Sequence, residues 1–359
     1  MTSFRLIVAL VILFVPGISI CCDLNEPGPV KAALPSLAAD IQHPRQVLLS
    51  NNVELQVPDA DGVLEMHSAD NFSLLGQISE WPTPSGQISS IKAQPVVLDL
   101  DHDGITDALY VIDVSGRLWF IRLNSGVFSE PALLADFSQT QAVFRQPLQL
   151  VQVLAPAGSG TMQRQTMLLL TGSLAEGDIL LAVKHVAQRD TPWQLTDLAD
   201  RTQLDTDEPR YGIAEQLWQQ IQQGGGWYVK LNQRVIAKPE VYAGVVYLTS
   251  AQPAAVGADC SLTADAQSQL HAFHLHHAGL VYSWRNRDIS HQERASLILT
   301  ENEQGRMVLS LQDSEQQQTV LTELLAIDAS CADCVTSVEQ EPFPRFIRLA
   351  TFQTEQDAH

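Results

Sequence analysis

Short apolar runs separated by turn-forming residues dominate the chain from about residue 47 onward. Each run has the length of a β-strand, and Gly, Asp, Asn, Ser and Pro lie between the runs, which predicts strands joined by tight turns. The predicted strands are Val47–Leu49, Val53–Val57, Pro95–Leu98, Ala108–Val111, Arg117–Arg122, Met167–Thr171, Ile179–Val186, Val245–Thr249, Ala295–Thr300 and Arg306–Leu311.

A helical period is clear at 212–223. Ile213, Leu217 and Ile221 lie four residues apart there, which places them on one face of a helix. The glycines at 224–226 predict where this helix ends. The polar stretch 259–269 lacks such a period, and we expect it to be a loop.

A weak internal repeat underlies the strands. Asp59–His67 resembles Asp113–Ile121, since each has an Asp, a Gly three residues on and then an apolar strand; Ser268–His274 is a looser copy. Propeller blades run about 40 to 50 residues, so the strand-rich region has room for roughly seven. The pattern therefore predicts an all-β fold, a β-propeller of roughly seven blades over 46–350. One or two β-sandwiches are the alternative.

The first 21 residues are predicted to be an export signal. Arg5 supplies a basic start, and the apolar run Leu6–Val15 is too short for a permanent membrane anchor. No later stretch has the length of a spanning helix, so we expect an exported, water-soluble protein unless lipid is attached.

Lipid attachment is an open alternative, because Cys21 and Cys22 lie where a bacterial lipoprotein carries its acylated cysteine. Ile20 is large for the position before Cys21, and plain cleavage nearby remains the other interpretation. Residues 22–45 are rich in Pro and small residues and read as a linker, and 351–359 as a tail.

Charge narrows the range of partners. The 359 residues include 41 Asp and Glu against 21 Lys and Arg, a net charge of −20. A chain this acidic repels a nucleic-acid backbone, which excludes nucleic acid as a partner, whereas it suits divalent cations.

The segment 99–107 carries the strongest chemical signal, with carboxylates at its positions 1, 3, 5 and 9 and Gly104 at position 6. Calcium takes six to eight oxygen ligands, and a tight loop of alternating Asp supplies them. The alternative is an acidic surface turn held by Asx hydrogen bonds. The predicted ligands for Ca²⁺ are Asp99, Asp101, Asp103, Asp107 and the carbonyl of Ile105.

Other chemistry-bearing residues give weaker signals. Cys260, Cys331 and Cys334 are disulfide candidates in an oxidising compartment, with their pairing open. Four clustered histidines, which could ligate a transition metal, are interpreted as surface positions on a strand. They are His271, His274, His276 and His277.

No activated nucleophile, phosphate loop or cofactor motif is present in the sequence, so we expect no enzymatic activity.

Several segments resemble, in order, the C-terminal propeller of PilY-type proteins, the tip-associated adhesin and assembly factors of type IV pili. They match its opening strand pair, its calcium loop with the next strand, and its later Gly-Trp-Tyr and Arg-Val signatures. They are Asp59–His67, Leu98–Asp107, Val111–Trp119, Gly226–Leu231, Arg234–Pro239, Val245–Thr249, Pro253 and Cys260.

The resemblance implies a calcium-dependent role in pilus biogenesis, retraction or adhesion, with minor pilins or other pilus components as partners. It places the protein in the periplasm or at the surface or pilus tip of a Gram-negative bacterium. PilY-type proteins usually carry a large, often von Willebrand A-like region before the propeller, where this chain has only 22–45, so a short form is expected. A propeller lipoprotein that scaffolds another envelope complex is the alternative.

Overall fold

The computed structural model describes residues 45–50, 52–58, 62–101, 103–124, 127–156, 162–186, 189, 191–204, 213–252, 255–256, 262–264, 266–290, 295–312, 317–322 and 324. The predicted signal segment with Cys21 and Cys22, the linker before Arg45 and the tail lie outside the described residues. So do Cys260, Cys331 and Cys334.

The described residues form a mostly β structure of five larger sheets, here called A to E, and one small hairpin. Sheet A is a four-stranded meander and sheet B has five strands. Sheet A contains β1 Arg45–Ser50, β2 Val53–Val57, β3 Leu64–Ser68 and β4 Leu74–Ile78. Sheet B contains β5 Val96–Leu98, β6 Ala108–Ile112, β7 Arg117–Asn124, β8 Val127–Phe128 and β9 Ala132–Asp136.

Sheet C has six strands, of which β14 and β15 pair in parallel while the other pairs are antiparallel. It contains β10 Val143–Phe144, β11 Gln149–Pro156, β12 Met162–Ser173, β13 Asp178–Lys184, β14 Leu198–Asp200 and β15 Gly226–Leu231. Short 3₁₀ turns lie at Ser138–Thr140 and Leu195–Asp197.

Sheets D and E and the hairpin complete the described part, all antiparallel. Sheet D contains β16 Arg234–Val235, β17 Glu240–Tyr242, β18 Val245–Gln252, β21 Gln267–His274 and β22 Asn286–Ile289. The hairpin is β19 Ala255–Val256 with β20 Leu262–Ala264, and sheet E contains β23 Ser296–Glu301, β24 Met307–Gln312 and β25 Gln317–Leu321.

The sheets pack face to face in chain order. One apolar core lies between sheets A and B, the next between B and C, then C and D, then D and E. Strand β6 shows the arrangement: Ala108, Tyr110 and Ile112 face sheet C, whereas Leu109 and Val111 face sheet A. All five are buried, which explains why this strand reads as a continuous apolar run rather than an alternating one.

The helix α1, Glu215–Gln223, confirms the predicted helical period, with Ile221 buried and Gly224 at its end. The prediction of a loop at 259–269 is wrong in part, because β20 and the first three residues of β21, 267–269, fall within it. Among the described residues, no helix has the length and apolar character needed to cross a membrane.

Candidate metal site

The acidic loop joins β5 to β6, which pair antiparallel and hold both of its ends. The backbone N–H of Asp107 donates to the carbonyl of Leu98 at 2.9 Å, closing the base of the loop. Thr106 is buried and its N–H donates to the carbonyl of Leu49 in sheet A at 2.9 Å. The loop therefore belongs to sheet B and is also fastened to the first strand of sheet A.

Carboxylates inside the loop set its shape. Oδ2 of Asp99 accepts the N–H of Gly104 at 2.9 Å, and Oδ2 of Asp107 accepts the N–H of Leu100 at 2.6 Å. Oδ1 of Asp103 accepts the N–H of Ile105 at 2.8 Å. Each bond uses one carboxylate oxygen and fixes the direction of the other. Gly104 has φ +84°, a left-handed conformation that glycine adopts without strain.

Three of the predicted ligands come together. Asp99, Asp101 and Asp107 each offer a carboxylate oxygen within 4.8 Å of the others. Asp103 lies outside this close group and Ile105, predicted to supply only its carbonyl, has a side chain that is 52% exposed. In the described part of the chain, this is the one group of three or more acidic, His or Cys side chains with such spacing.

Electrostatics favour a cation at this group. Local loss of hydration raises the pKa of Asp101, and the charges of Asp103, Asp107 and Asp99 act in the same direction, against a hydrogen bond from the Asp103 N–H that lowers it. A divalent cation between the carboxylates would relieve this repulsion. Hard, all-oxygen donors of this kind suit calcium better than transition metals.

The histidine cluster does not lie at the surface, so that interpretation is wrong. His271 and His277 are each 5% exposed, and His274 and His276 are half-buried. Strand β21 ends at His274, and the chain then turns, with the rings of His274 and His277 stacked 3.8 Å apart. No three of these histidines bring their ring nitrogens within 4.8 Å of one another, as the ligands of one metal ion would.

A serine and a histidine of sheet D lie as close together as in a Ser–His nucleophile pair, but they belong to a buried chain of hydrogen bonds. His271 Nε2 lies 2.7 Å from Ser250 Oγ, which donates to Gln233 Oε1 at 2.7 Å. All three side chains are buried, Ser250 completely, and the third member is an amide rather than a carboxylate. The chain satisfies buried polar atoms and lies out of reach of a substrate.

Sequence reasoning missed an ion pair between sheets C and D. Arg234 donates to Asp178 Oδ1 at 2.8 Å, and the N–H of Val235 donates to Asp178 Oδ2 at 2.8 Å. Burial raises the pKa of Asp178, while Arg234 and Val235 lower it. Arg234 also donates to the carbonyls of Leu174 and Gly177. The Arg-Val signature was visible in the sequence, but its acidic partner was not.

Comparisons with known proteins leave the family open. No protein-family model matches the chain, and no curated protein matches it. Among solved structures, it is similar to the Pseudomonas aeruginosa PilY1 C-terminal domain, at 13% sequence identity and a TM-score of 0.48. That likeness covers 78% of this chain and 72% of the other. At this level of similarity, no residue role transfers to this chain.

Proposed function

We propose that this chain is a calcium-binding, non-catalytic protein that acts in type IV pilus biogenesis, retraction or adhesion. The acidic loop carries the proposal, because it both resembles the PilY-type calcium loop and brings Asp99, Asp101 and Asp107 together. The absence of a motif for covalent or cofactor chemistry in the sequence supports a binding role, and minor pilins are the proposed partners.

A β-propeller is the architecture we propose for the sheets. Each of sheets B, C and D shares an apolar core with the sheet before it and the sheet after it, as adjacent blades do. A ring of roughly seven blades stays a prediction, since the described residues contain five larger sheets.

Calcium is proposed to act through the junction of sheets A and B. The loop that would hold the ion also donates from Thr106 to Leu49 of β1. Without a cation, four carboxylates within nine residues repel one another and oppose the closed loop. The ion would therefore stabilise the packing of the first sheet as well as the loop.

Calcium is expected to raise the melting temperature, and Asp101→Ala to abolish most of that rise. For a Kd of roughly 10⁻⁴ M, in the range of extracellular calcium sites, 10 mM calcium is about 100 Kd. Mass action then adds about 2.7 kcal/mol to the free energy of unfolding. Thermal unfolding with calcium and with a chelator measures the difference.

Asp70→Ala is the matched control, since Asp70 is exposed in a turn of sheet A outside the loop. Its calcium-dependent shift should equal that of the wild type. An equal shift in the Asp101 variant, or no calcium heat in titration calorimetry of the wild type, would contradict the proposed site.

Deletion of the gene is expected to reduce surface pili or pilus-dependent motility. The Asp101→Ala variant, exported and folded, should complement this defect only in part, because a loosened loop imposes an ordering cost on any partner that binds the surface it supports. Electron microscopy of pili and a twitching assay measure both effects. Normal pili and motility in a strain without a paralogue would favour the envelope-scaffold alternative.

A further inference from the structure

The acidic loop contains one of the two Asp–Gly pairs of the sequence, Asp103–Gly104; the other is Asp61–Gly62. Such a pair can rearrange, because glycine has no side chain to hinder attack by its main-chain nitrogen on the neighbouring carboxyl group. Asp103 and Gly104 are exposed, and a Cβ atom built on Gly104 would meet nothing beyond its chain neighbours within 4 Å. Crowding around the pair therefore does not prevent the reaction.

The rearrangement is balanced without an oxidant, a reductant or a cofactor. The Gly104 nitrogen gives up its proton and bonds to Cγ of Asp103, and that proton leaves with the carboxyl hydroxyl as water, which forms a cyclic succinimide. Water then breaks one of the two bonds that join this nitrogen to the carbonyl carbons of the ring. Breakage at the main-chain carbonyl carbon leaves Gly104 joined to Cγ of Asp103, which is an isoaspartate, whereas breakage at Cγ restores the original aspartate.

Asp99 opposes the first step while the loop is closed. The N–H of Gly104 donates to Oδ2 of Asp99 at 2.9 Å. The nitrogen can attack only after it gives up this proton, and a carboxylate is far too weak a base to remove it. The negative charge of Asp99 also opposes the build-up of a second negative charge on the nitrogen. Asp99 therefore acts against the reaction both as a hydrogen-bond acceptor and as a charge.

Asp103 is held on both sides as well. Its Oδ1 accepts the N–H of Ile105 at 2.8 Å, and its own N–H donates to Oδ1 of Asp101 at 3.3 Å. The bond to Ile105 keeps the carboxyl group from rotating freely onto the Gly104 nitrogen. Both reacting groups are therefore engaged elsewhere in the closed loop, and the reaction requires the loop to open locally.

An isoaspartate at residue 103 would prevent the loop from closing again. The main chain would run through Cβ and Cγ of this residue and become one atom longer, which would move the Gly104 N–H away from Asp99. The base of the loop stays fixed by the 2.9 Å bond between the Asp107 N–H and the Leu98 carbonyl. The added length must be taken up between these fixed ends, where the carboxylates come together. Opening of the loop would thereby become irreversible.

We propose that Asp103–Gly104 is a site of isoaspartate formation that Asp99 keeps inactive while the loop is closed. The chemistry of the pair then limits how long the loop can remain open without permanent damage. The reaction needs no bound ion, so its test, made in the presence of a chelator, stands apart from calcium binding and from the pilus role.

Mass spectrometry of the purified full chain, incubated at neutral pH with a chelator and then digested, measures the isoaspartate formed at residue 103. Electron-transfer fragmentation distinguishes it from aspartate, which has the same mass. Asp99→Ala should raise the rate of formation roughly tenfold or more, the factor expected when a hydrogen bond to a charged group no longer has to open first. Asp99→Asn should give an intermediate rate, since its amide oxygen can accept the Gly104 N–H but carries no charge.

Asp107→Ala is the matched control within the loop. It removes the same charge and a bond of 2.6 Å to the Leu100 N–H, but it leaves the contact between Asp99 and Gly104 in place. Its rate should stay well below that of Asp99→Ala. Asp103→Glu keeps the charge and should give no product, because its longer side chain would have to form a larger and less favourable ring.

The Asp61–Gly62 pair serves as an internal reference in the same digests, and its rate should be equal in all variants. Equal rates at residue 103 in Asp99→Ala and wild type would overturn the proposal. Equal rates in Asp99→Ala and Asp107→Ala, or a parallel rise at Asp61–Gly62 in both Asp99 variants, would overturn it in favour of general loosening of the chain.

Discussion

Replacing Arg234 by Met is expected to lower the free energy of unfolding by about 3–5 kcal/mol, because it leaves a buried carboxylate without its cation. Asp178 is 1% exposed, so water cannot replace the lost partner. The same substitution removes the donors that hold the carbonyls of Leu174 and Gly177 in the turn between β12 and β13. Sheets C and D would lose a polar link as well as an ion pair. Urea denaturation at pH 7.5 measures the change.

Arg117→Met is the matched control for the loss of a cation. Its guanidinium lies 3.9 Å from Asp136 with both side chains partly exposed, and such pairs contribute about 0–1 kcal/mol. Adding Asp178→Asn to Arg234→Met should restore part of the stability, since an amide oxygen can still accept the Val235 N–H. Equal losses in the Arg117 and Arg234 variants would contradict the assigned role.

Local pattern located ten of the 25 strands in the described part of the chain, because those apolar runs have a physical cause. Strands β6 and β13 are buried on both faces, so their positions are apolar except for Asp178 and Lys184 at the two ends of β13. The acidic loop was predictable because its four carboxylates lie within nine consecutive residues. In contrast, Asp178 lies 56 residues from Arg234, and nothing in the spacing of the sequence relates the two. Pairings between sheets depend on how the sheets stack, which a local pattern does not reveal.

The histidines illustrate a boundary that the sequence hides. Strand alternation was expected to continue past His274, but the chain turns there, and Ala278 adopts φ 52°. Trp227 Nε1 donates to the carbonyl of Leu275 at 2.8 Å, and Arg201 Nε donates to the carbonyl of His277 at 2.8 Å. These long-range donors draw the turn into the interface of sheets C and D. The polar character of these histidines therefore predicted a surface position, whereas their side chains are buried or half-buried.

Acidification from pH 6.5 to about 5 is expected to destabilise the protein by several kcal/mol through these buried histidines. Burial, followed by the charge of Arg201, lowers the pKa of His277 to about 3, and burial, followed by Arg285, lowers that of His271 to about 4. Burial, followed by the charge of Lys184, lowers the pKa of His276 to about 4. Because His274 and His276 keep part of their surface exposed, we expect smaller effects from them.

The sign follows from proton uptake. A histidine with an ordinary pKa near 6.5 binds a proton in the unfolded chain below that pH, whereas His271 and His277 stay neutral in the folded protein until about 4 or 3. Stability is thus complete above pH 6.5 and is lost as the pH falls below it. At pH 5 each enclosed histidine would cost about 2 kcal/mol. Most carboxylates titrate lower, so the window from 6.5 to 5 isolates the histidines.

His277→Asn should flatten this pH dependence by about 2 kcal/mol at pH 5, because the amide does not titrate in that window. Its oxygen can also take the place of Nδ1 in accepting the N–H of Gly279, a bond of 3.1 Å in the wild type. Urea denaturation at constant ionic strength, with a chelator present, measures the slope between pH 7.5 and 5.

His67→Asn is expected to change the slope in the opposite direction, which makes it the sharpest control. Hydrogen bonds to Glu65 and to the carbonyl of Phe72 raise the pKa of His67. Its contribution to stability is therefore present below pH 6.5 and is lost as the pH rises through its folded-state pKa. Because His67 is close to the surface, removing it should steepen the acid loss only slightly. A wild-type stability that is flat between pH 7.5 and 5, or equal slopes in all three proteins, would contradict the buried, neutral state of the histidine turn.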